Sequence, residues 1–217
     1  SCGFYAIAPV NYIDPTTQLK GTIPPNAHEK SLMDFFYGFF AYIKEHNAPI
    51  DFFSWHSYAN TERVERMDTW LHDELEKLGY GGLETHINEW NPPSRDKRDT
   101  AVYAADGAAT MLGSQNTDLD MLMIYDARLD GSTYSALFLP TIGKPEPNLS
   151  HAYYVFAAFS RLYKLGTQVG LKCDTDGVYA VMATDGKKNA LMISNISGAA
   201  EELNIEGADL SDARWYV

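Results

Sequence analysis

The sequence predicts an α/β fold built on parallel strands, followed by a smaller antiparallel β module. Strand-like and helix-like patterns alternate four times before Gly166, and the helical patterns are long enough to connect parallel strands by crossovers. After Gly166 the pattern changes to short strand-like runs separated by Gly, Asp and Asn turns. The first part is expected to be a TIM barrel or a doubly wound sheet, although no glycine-rich phosphate-binding motif follows any strand.

The composition is that of an acidic globular protein. The chain has 217 residues, 45% of them hydrophobic, which is enough for one domain or for one domain and part of another. The net charge is -12, and the 17 basic residues form no run that would follow a phosphate backbone, so nucleic acid is not an expected partner. A membrane is not expected either, because no apolar stretch reaches the roughly 20 residues that cross a bilayer, and the first residues lack a signal-peptide pattern.

Neither a metal nor a cofactor is expected. Cys2 and Cys173 are far apart in the sequence and have no metal-ligand spacing, so we expect two unpaired thiols. His86 and Glu89 resemble a metal-binding pair only superficially, because positions three apart on a regular strand face opposite sides.

Each predicted element in the barrel-like part rests on a hydrophobic pattern and its boundary residues. Helices show apolar side chains at three- and four-residue spacing, and strands are short apolar or aromatic runs. A long loop is expected over 126–149. In order, the elements are a strand at 2–8, a helix at 29–46, a strand at 50–58, a helix capped by Asn60 or Thr61 and ended by Gly79, a strand at 83–90, a helix from Asp99 or Thr100 to about Ser114, a strand at 119–125, and a helix capped by Ser150 and ended by Gly166.

The antiparallel module is expected to form a second, incomplete domain. We predict a division into 1–167, a partial TIM-barrel catalytic domain, and 168–217, a partial β-sandwich domain. The chain ends in what resembles the middle of a strand, so both ends are expected to be truncated. The predicted strands of the module are 178–182, 190–194, 202–205 and 214–217.

Polar residues follow the predicted strands where a parallel α/β fold binds its ligands, at the carboxyl ends. In the strand at 50–58, period two places Ser54, His56 and Tyr58 on one face and Trp55 on the other. His56 and Tyr58 are therefore expected to reach one site.

Two further strand ends carry candidate residues. Glu89 ends the strand at 83–90, with Trp90 beside it, and Tyr125, Asp126 and Arg128 end the strand at 119–125. A carboxylate beside a tyrosine hydroxyl and an imidazole is held ionised and oriented, as a nucleophile that attacks an anomeric carbon requires.

A structural explanation stays open for each of these residues. A strand-end glutamate such as Glu89 is often a solvated or salt-bridged carboxylate. His56 is also consistent with a core histidine bonded to a backbone carbonyl. Tyr58 and Tyr125 are equally consistent with core aromatic residues.

Two of the strand ends resemble those of clan A glycoside hydrolases. Residues 51–58 read DFFSWHSY and residues 87–91 read INEWN, and their order is that of the β-xylosidase and α-L-iduronidase family. In that family the fold is a TIM barrel, the sixth strand ends in a Ser-Trp-His-x-Tyr-like motif, and the seventh carries the nucleophile in a Thr-Glu-Trp-like motif. The residues after 177 resemble the β-sandwich that packs beside the barrel.

The resemblance implies that Glu89 is the nucleophile and that His56 and Tyr58 orient it. The sequence departs from the family at Asn88, where Thr is usual, and at Tyr125, where the eighth strand usually supplies Trp. Asn-Glu also marks the acid/base motif on the fourth strand of the clan. The order of elements favours the nucleophile, because the β module follows soon after Glu89 and the His-x-Tyr strand precedes it.

The resemblance further implies that the chain begins near the fifth barrel strand. A retaining mechanism needs two carboxyl groups about 5–5.5 Å apart, and the acid/base glutamate is expected upstream of residue 1. The isolated chain is therefore expected to be inactive. A glycoside, oligosaccharide or polysaccharide is the expected substrate, bound by His56, Tyr58 and further residues that the resemblance places around the nucleophile: Trp90, Tyr125, Asp126 and Arg128.

Two other functions compete with this one. A non-catalytic carbohydrate-binding or scaffold protein on a barrel-derived fold would account for the missing half and for the unusual Asn88 and Tyr125. A doubly wound hydrolase or oxidoreductase has less support, because neither a nucleophile elbow nor a dinucleotide-binding motif is present. The resemblance also implies an exported parent protein, secreted or periplasmic.

Overall fold

The structure is a computed structural model, and it describes residues 4–5, 11–13, 20–22, 27–129, 137–141, 143, 145–207 and 211–216. Its elements within these ranges are β1 Phe4–Tyr5, β2 Asn11–Ile13, β3 Lys20–Thr22, α1 Ala27–His46, β4 Phe52–Ser57, α2 Thr61–Leu78, β5 Glu84–Trp90, α3 Ala101–Gly113, β6 Met121–Ile124, β7 Phe138–Leu139, β8 Asn148–Leu149, α4 His151–Tyr163, β9 Thr167–Val169, β10 Val178–Thr184 and β11 Asn189–Asn195. Short 3-10 turns at Arg95–Lys97 and Ser114–Asn116 flank α3.

The main sheet is parallel and follows the chain order. Strands β1, β4, β5 and β6 lie side by side in that order, and each pairs in parallel with the next. A helix connects each strand to its neighbour, so the order never reverses within the described sheet. This is the predicted mixed α/β architecture, and it is consistent with part of a TIM barrel.

One face of this sheet is covered by helices. Phe53, Trp55, Ile87 and Trp90 project from β4 and β5 into a core that also receives the apolar sides of α1, α2 and α3. A doubly wound sheet has helices on both faces. The helices of this core all pack on one face of the described sheet, as they do on a barrel wall. The helical side chains buried in this core are Phe36, Phe40, Ile43, Val64, Met67, Leu71, Leu75 and Met111.

Three helices begin at the residues that the sequence indicated. The side chain of Asn60 accepts a hydrogen bond from the Arg63 backbone at the start of α2. Thr100 and Ser150 cap α3 and α4 in the same way. Each cap satisfies a backbone N–H that the first helical turn leaves without an intrahelical partner. Gly79 ends α2 at φ 89°, a left-handed conformation that glycine adopts without strain.

A second sheet of three antiparallel strands follows α4. Its order is β11-β10-β9, and two of its strands confirm predicted runs. Val181 and Ala183 of β10 share a buried cluster with Leu112 of α3 and Leu162 of α4. The hydroxyl of Ser194 also donates to the Ala105 carbonyl of α3 at 2.7 Å. The antiparallel sheet therefore packs directly on the helices that cover the parallel one.

Some predicted elements differ from the structure. The runs at 202–205 and 214–216 form no strand, so these two predictions are wrong within the described residues. Strand β9 was not predicted, because its three residues are too few for a clear alternation. Most of the strand expected at 2–8 lies outside the described residues. Its described part, β1, belongs to the parallel sheet. The loop expected at 126–149 contains the short pair β7 and β8.

The two sheets meet close to the predicted domain boundary. Strand β9 begins at Thr167, next to the expected division at residue 168. We retain the division as a proposal, together with the assignment of the second part to a β-sandwich and of the first to barrel strands five to eight. Within the described residues, no helix combines the length and the apolar character that crossing a membrane requires.

Close packing at the end of α3 gives a testable expectation. A Cβ atom added at Gly113 would lie 2.7 Å from Thr61 Cγ2 and 2.4 Å from Glu65 Oε1. Thr61 is buried and bonded to Thr110, so it has little room to move. Gly113→Ala should therefore lower the free energy of unfolding by about 1–3 kcal/mol, the usual cost of overpacking.

The matched control is Gly38→Ala, because Gly38 lies in the middle of α1 and a Cβ there would meet nothing within 4 Å. That substitution should raise the free energy of unfolding by about 0.5–1 kcal/mol through helix propensity. Urea denaturation measures both. Equal stabilisation by the two alanines would show that α3 does not pack closely against α2.

Candidate active site

Strand β5 contains one residue more than β4 over the length in which they pair. Trp55 is the partner of Ile87, but the next residue of β4, His56, is the partner of Glu89. Asn88 therefore has no counterpart in β4. An extra residue on one strand of a pair is a β-bulge, which bends the strand and changes the direction of the side chains that follow.

The other neighbour of β5 shows the same extra residue. Leu122 of β6 pairs with Ile87 of β5, and Ile124 of β6 pairs with Trp90 of β5. The step is two residues along β6 but three residues along β5. Because β5 has the extra residue relative to both β4 and β6, the bulge lies in β5 itself.

Two buried apolar residues account for the bulge. Ile87 and Trp90 are 0% and 1% exposed, and both lie in the core under the helices. They are three positions apart, so a regular strand would direct them to opposite faces. The extra residue, Asn88, returns Trp90 to the core face. As a result Glu89 projects from the uncovered face, where its carboxylate avoids the cost of burial among apolar side chains.

Two side chains at the end of β4 approach the carboxylate of Glu89. The Tyr58 hydroxyl donates a hydrogen bond to Oε1 of Glu89, and Nδ1 of His56 lies 3.3 Å from Oε2. The side chains of His56 and Glu89 are 16% and 23% exposed. Oε1 thus accepts a hydrogen bond, Oε2 has an imidazole nitrogen close to it, and the group remains open enough to meet a ligand. The structure brings together the three residues that the sequence placed at one site.

Trp90 lies away from this group. Its side chain is 1% exposed and is part of the core cluster, and its ring centroid is 6.3 Å from that of Phe156 in α4. The structure therefore does not bring Trp90 to the face that carries Glu89. The bulge is the reason, because it exchanges the faces that the two residues would otherwise occupy.

The third predicted group lies after β6. The backbone N–H of Tyr125 donates to the Trp90 carbonyl at 2.8 Å, which places this segment beside the end of β5. Asp126 is 9% exposed and accepts from the Arg128 guanidinium, whose Nε lies 2.7 Å from Oδ2. The Asp126 carboxylate raises the pKa of Arg128.

Asn91 is a buried site residue that the sequence analysis did not single out. Its side chain is 0% exposed, and Nδ2 donates to the Tyr125 carbonyl at 2.6 Å. The available signal was an amide placed directly after the end of a strand, two positions beyond a carboxylate and just before Pro92. A polar side chain at such a place must satisfy its hydrogen bonds when it is buried.

The expectation that His86 and Glu89 face opposite sides is wrong. His86 pairs with Ser54 and Glu89 pairs with His56, and these partners are two positions apart on β4. Residues two apart share a face, so the bulge places His86 and Glu89 on the same face. Nε2 of His86 lies 3.2 Å from the Glu84 carboxylate, and the described part of the chain has no cluster of three potential metal ligands.

The fold is similar to that of several solved glycosidases. A glucosidase from Croceicoccus marinus gives a TM-score of 0.59 at 22% identity, over 73% of this chain and 36% of that one. A GH39 β-xylosidase from Caulobacter crescentus gives 0.51 at 18% identity, over 71% and 34%. A monomeric β-xylosidase from Caulobacter crescentus CB15 gives 0.54 at 15% identity, over 71% and 35%.

These likenesses show that the chain shares the fold of these glycosidases over the part that is covered, which is the fold that the sequence resemblance predicted. The chain spans about a third of the length of each of these structures. No protein-family model matches the sequence, and no curated protein matches it.

The bulge predicts how β5 tolerates deletions. Deleting Asn88 leaves regular alternation, with Glu89 on the open face and Trp90 in the core, so the free energy of unfolding should fall by less than about 2 kcal/mol. Deleting His86 should cost about 3–5 kcal/mol, because Ile87 then leaves the core and the Asn88 amide enters it. Thermal and urea unfolding compare the two. Equal losses would contradict the assigned bulge.

Proposed function

We propose that this chain is part of a retaining glycoside hydrolase of the β-xylosidase type, in which Glu89 is the nucleophile. The observation that carries the proposal is the Glu89 carboxylate, held between the Tyr58 hydroxyl and His56 at the carboxyl ends of parallel strands. The end of parallel strands is where barrel enzymes place their reacting groups. The similar solved structures are named as a glucosidase and as β-xylosidases, so we propose a glucoside- or xyloside-type substrate.

The arrangement of donors suits nucleophilic attack on a sugar. Tyr58 and His56 approach different oxygens of Glu89, so the carboxylate is fixed in direction while each oxygen keeps free lone pairs. A carboxylate that is already oriented loses little conformational freedom when it reaches the anomeric carbon. Once the glycosyl–enzyme ester has formed, the same two groups stabilise the carboxylate as it leaves in the second step.

The remaining site residues have the following proposed roles. Tyr125 lines the sugar subsite beside Glu89, and the ion pair of Asp126 with Arg128 fixes the loop behind it. Trp90 supports the strand end from the core, where its buried ring has no access to substrate.

A second carboxyl group completes the proposed mechanism. Retaining hydrolysis requires an acid that protonates the leaving oxygen about 5–5.5 Å from the nucleophile. We propose that this acid/base residue lies in a part of the parent protein that precedes residue 1, so that the 217 residues alone are inactive. The extent of the similar structures, of which the chain spans about a third, supports this proposal.

Glu89→Gln in the parent protein tests the assignment. The amide keeps an acceptor for Tyr58 but is a poor nucleophile, so kcat on aryl glycosides should fall by about 10³-fold or more. Stability should change by less than about 1 kcal/mol, since one neutral hydrogen bond replaces a charged one.

The matched control is Glu84→Gln, because Glu84 begins the same strand with a side chain that is 65% exposed. That variant should keep its turnover. Retained turnover in Glu89→Gln would refute the nucleophile assignment. A parent protein that binds glycosides with no turnover, either as wild type or as a variant, would identify a carbohydrate-binding protein instead.

A further inference from the structure

The backbone of Tyr125 is bonded on both sides to residues that follow Glu89. Its N–H donates to the Trp90 carbonyl at 2.8 Å, and its C=O accepts from Asn91 Nδ2 at 2.6 Å. The first bond continues the parallel pairing of β5 and β6. The second is a side-chain bond, so it depends on the identity of residue 91. The peptide units around Tyr125 are therefore fixed relative to the strand end that carries Glu89.

The orientation of the Asn91 amide is itself determined by a buried hydroxyl. Tyr103 of α3 is 0% exposed and donates from its hydroxyl to Asn91 Oδ1 at 2.8 Å. With Oδ1 accepting this proton, the Asn91 amide nitrogen must point toward the Tyr125 carbonyl. The two bonds satisfy opposite ends of one amide, which is rigid because it is planar.

The phenol of Tyr103 is held as a neutral donor. Burial raises its pKa to about 12, and the Arg98 guanidinium partly opposes this shift through its charge and a hydrogen bond. The hydrogen bonds therefore all run in one direction. Arg98 donates to Tyr103, Tyr103 donates to Asn91, and Asn91 donates to the Tyr125 carbonyl. A chain in which each group donates to the next is mutually reinforcing in a low-dielectric interior.

We propose that Asn91 is a positioning residue, which fixes Tyr125 in the sugar subsite beside Glu89 and thereby determines how tightly the substrate is held during attack. The inference rests on the proposed function, because it names a further residue of the same site. Asn91 does not contact the sugar. It acts through the Tyr125 backbone, and Tyr103 acts through Asn91.

This role has a different signature from that of an ordinary buried amide. If Asn91 acts through Tyr125, replacing it should matter only while the Tyr125 ring is present. If Asn91 merely supports the fold, its replacement should have the same effect whether or not that ring is there. A double-mutant cycle between positions 91 and 125 separates these cases.

The variants are chosen to keep the shape of the site. Asn91→Asp retains an acceptor for Tyr103 but, as a carboxylate, presents an oxygen to the Tyr125 carbonyl, so the second bond is lost at a pH where the new side chain is ionised. Tyr103→Phe removes only the hydroxyl. Thr110→Val is the matched control, because Thr110 is also 0% exposed on α3 and bonded through its hydroxyl to Thr61 at 3.0 Å, but it belongs to another contact.

The experiment measures kcat and KM of the parent protein on an aryl xyloside and an aryl glucoside. Asn91→Asp should lower kcat/KM about 10- to 100-fold, with a rise in KM, since small displacements near the reacting atoms have effects of this size. Tyr103→Phe should lower it about 3- to 10-fold by loosening the same amide, and Thr110→Val should stay within about 2-fold of wild type. In the Tyr125→Ala background, Asn91→Asp should lower kcat/KM by less than about 3-fold further.

Each contrary result has a distinct meaning. The inference is overturned if Asn91→Asp lowers kcat/KM as much in the Tyr125→Ala background as in the wild type. It is also overturned if Asn91→Asp lowers kcat/KM no more than Thr110→Val does. In both cases Glu89→Gln would remain inactive, so the proposed function would stand. Full turnover in Glu89→Gln overturns the proposed function instead, whatever Asn91→Asp does. If Asn91→Asp fails to fold, as judged by thermal unfolding, Tyr103→Phe decides through the same cycle with Tyr125→Ala.

Discussion

The site depends on the shared burial of Ile87 and Trp90. Both side chains lie in the core beneath the helices, although their spacing in the sequence is odd and a regular strand alternates faces. Placing both in the core requires one extra residue, and β5 contains it at Asn88. A regular strand would bury only one of the two, so the bulge adds the burial of one large apolar side chain, which contributes about 1.5–3 kcal/mol. That exceeds the cost of the local loss of pairing at a bulge.

The bulge has consequences for every group near the end of β5. It directs Glu89 to the uncovered face, where Tyr58 and His56 approach its two oxygens. Asn91, the next residue after Trp90, reaches the carbonyl of Tyr125, which follows the neighbouring strand β6. A packing requirement on one face of the sheet thus arranges polar groups on the other. The end of β5 can carry a polar residue such as Glu89 because Ile87 and Trp90 supply the apolar side chains that the core needs.

Much of the fold could be predicted from the sequence, because α1, α2 and α4 have clear apolar stripes and α2, α3 and α4 begin at polar capping residues. The grouping of His56, Tyr58 and Glu89 was also predictable, since parallel strands bring their carboxyl ends to one edge. The place of Trp90 was not, because a period-two pattern contains no bulge. The role of Asn91 was hidden for a related reason: its partners Tyr103 and Tyr125 are distant in the sequence and meet only through tertiary packing. Odd spacing between two large apolar residues was the one local sign of the irregularity.

The most direct test of this account is covalent trapping of the parent protein with an activated 2-deoxy-2-fluoro glycoside, followed by mass spectrometry of the digested protein. Such a sugar reacts with a retaining nucleophile but leaves the glycosyl–enzyme ester slowly. We expect one added glycosyl group per chain, on the peptide that contains Glu89, and no label when Glu89 is replaced by Gln. A label on a different carboxylate, with Glu89 unmodified, would contradict it.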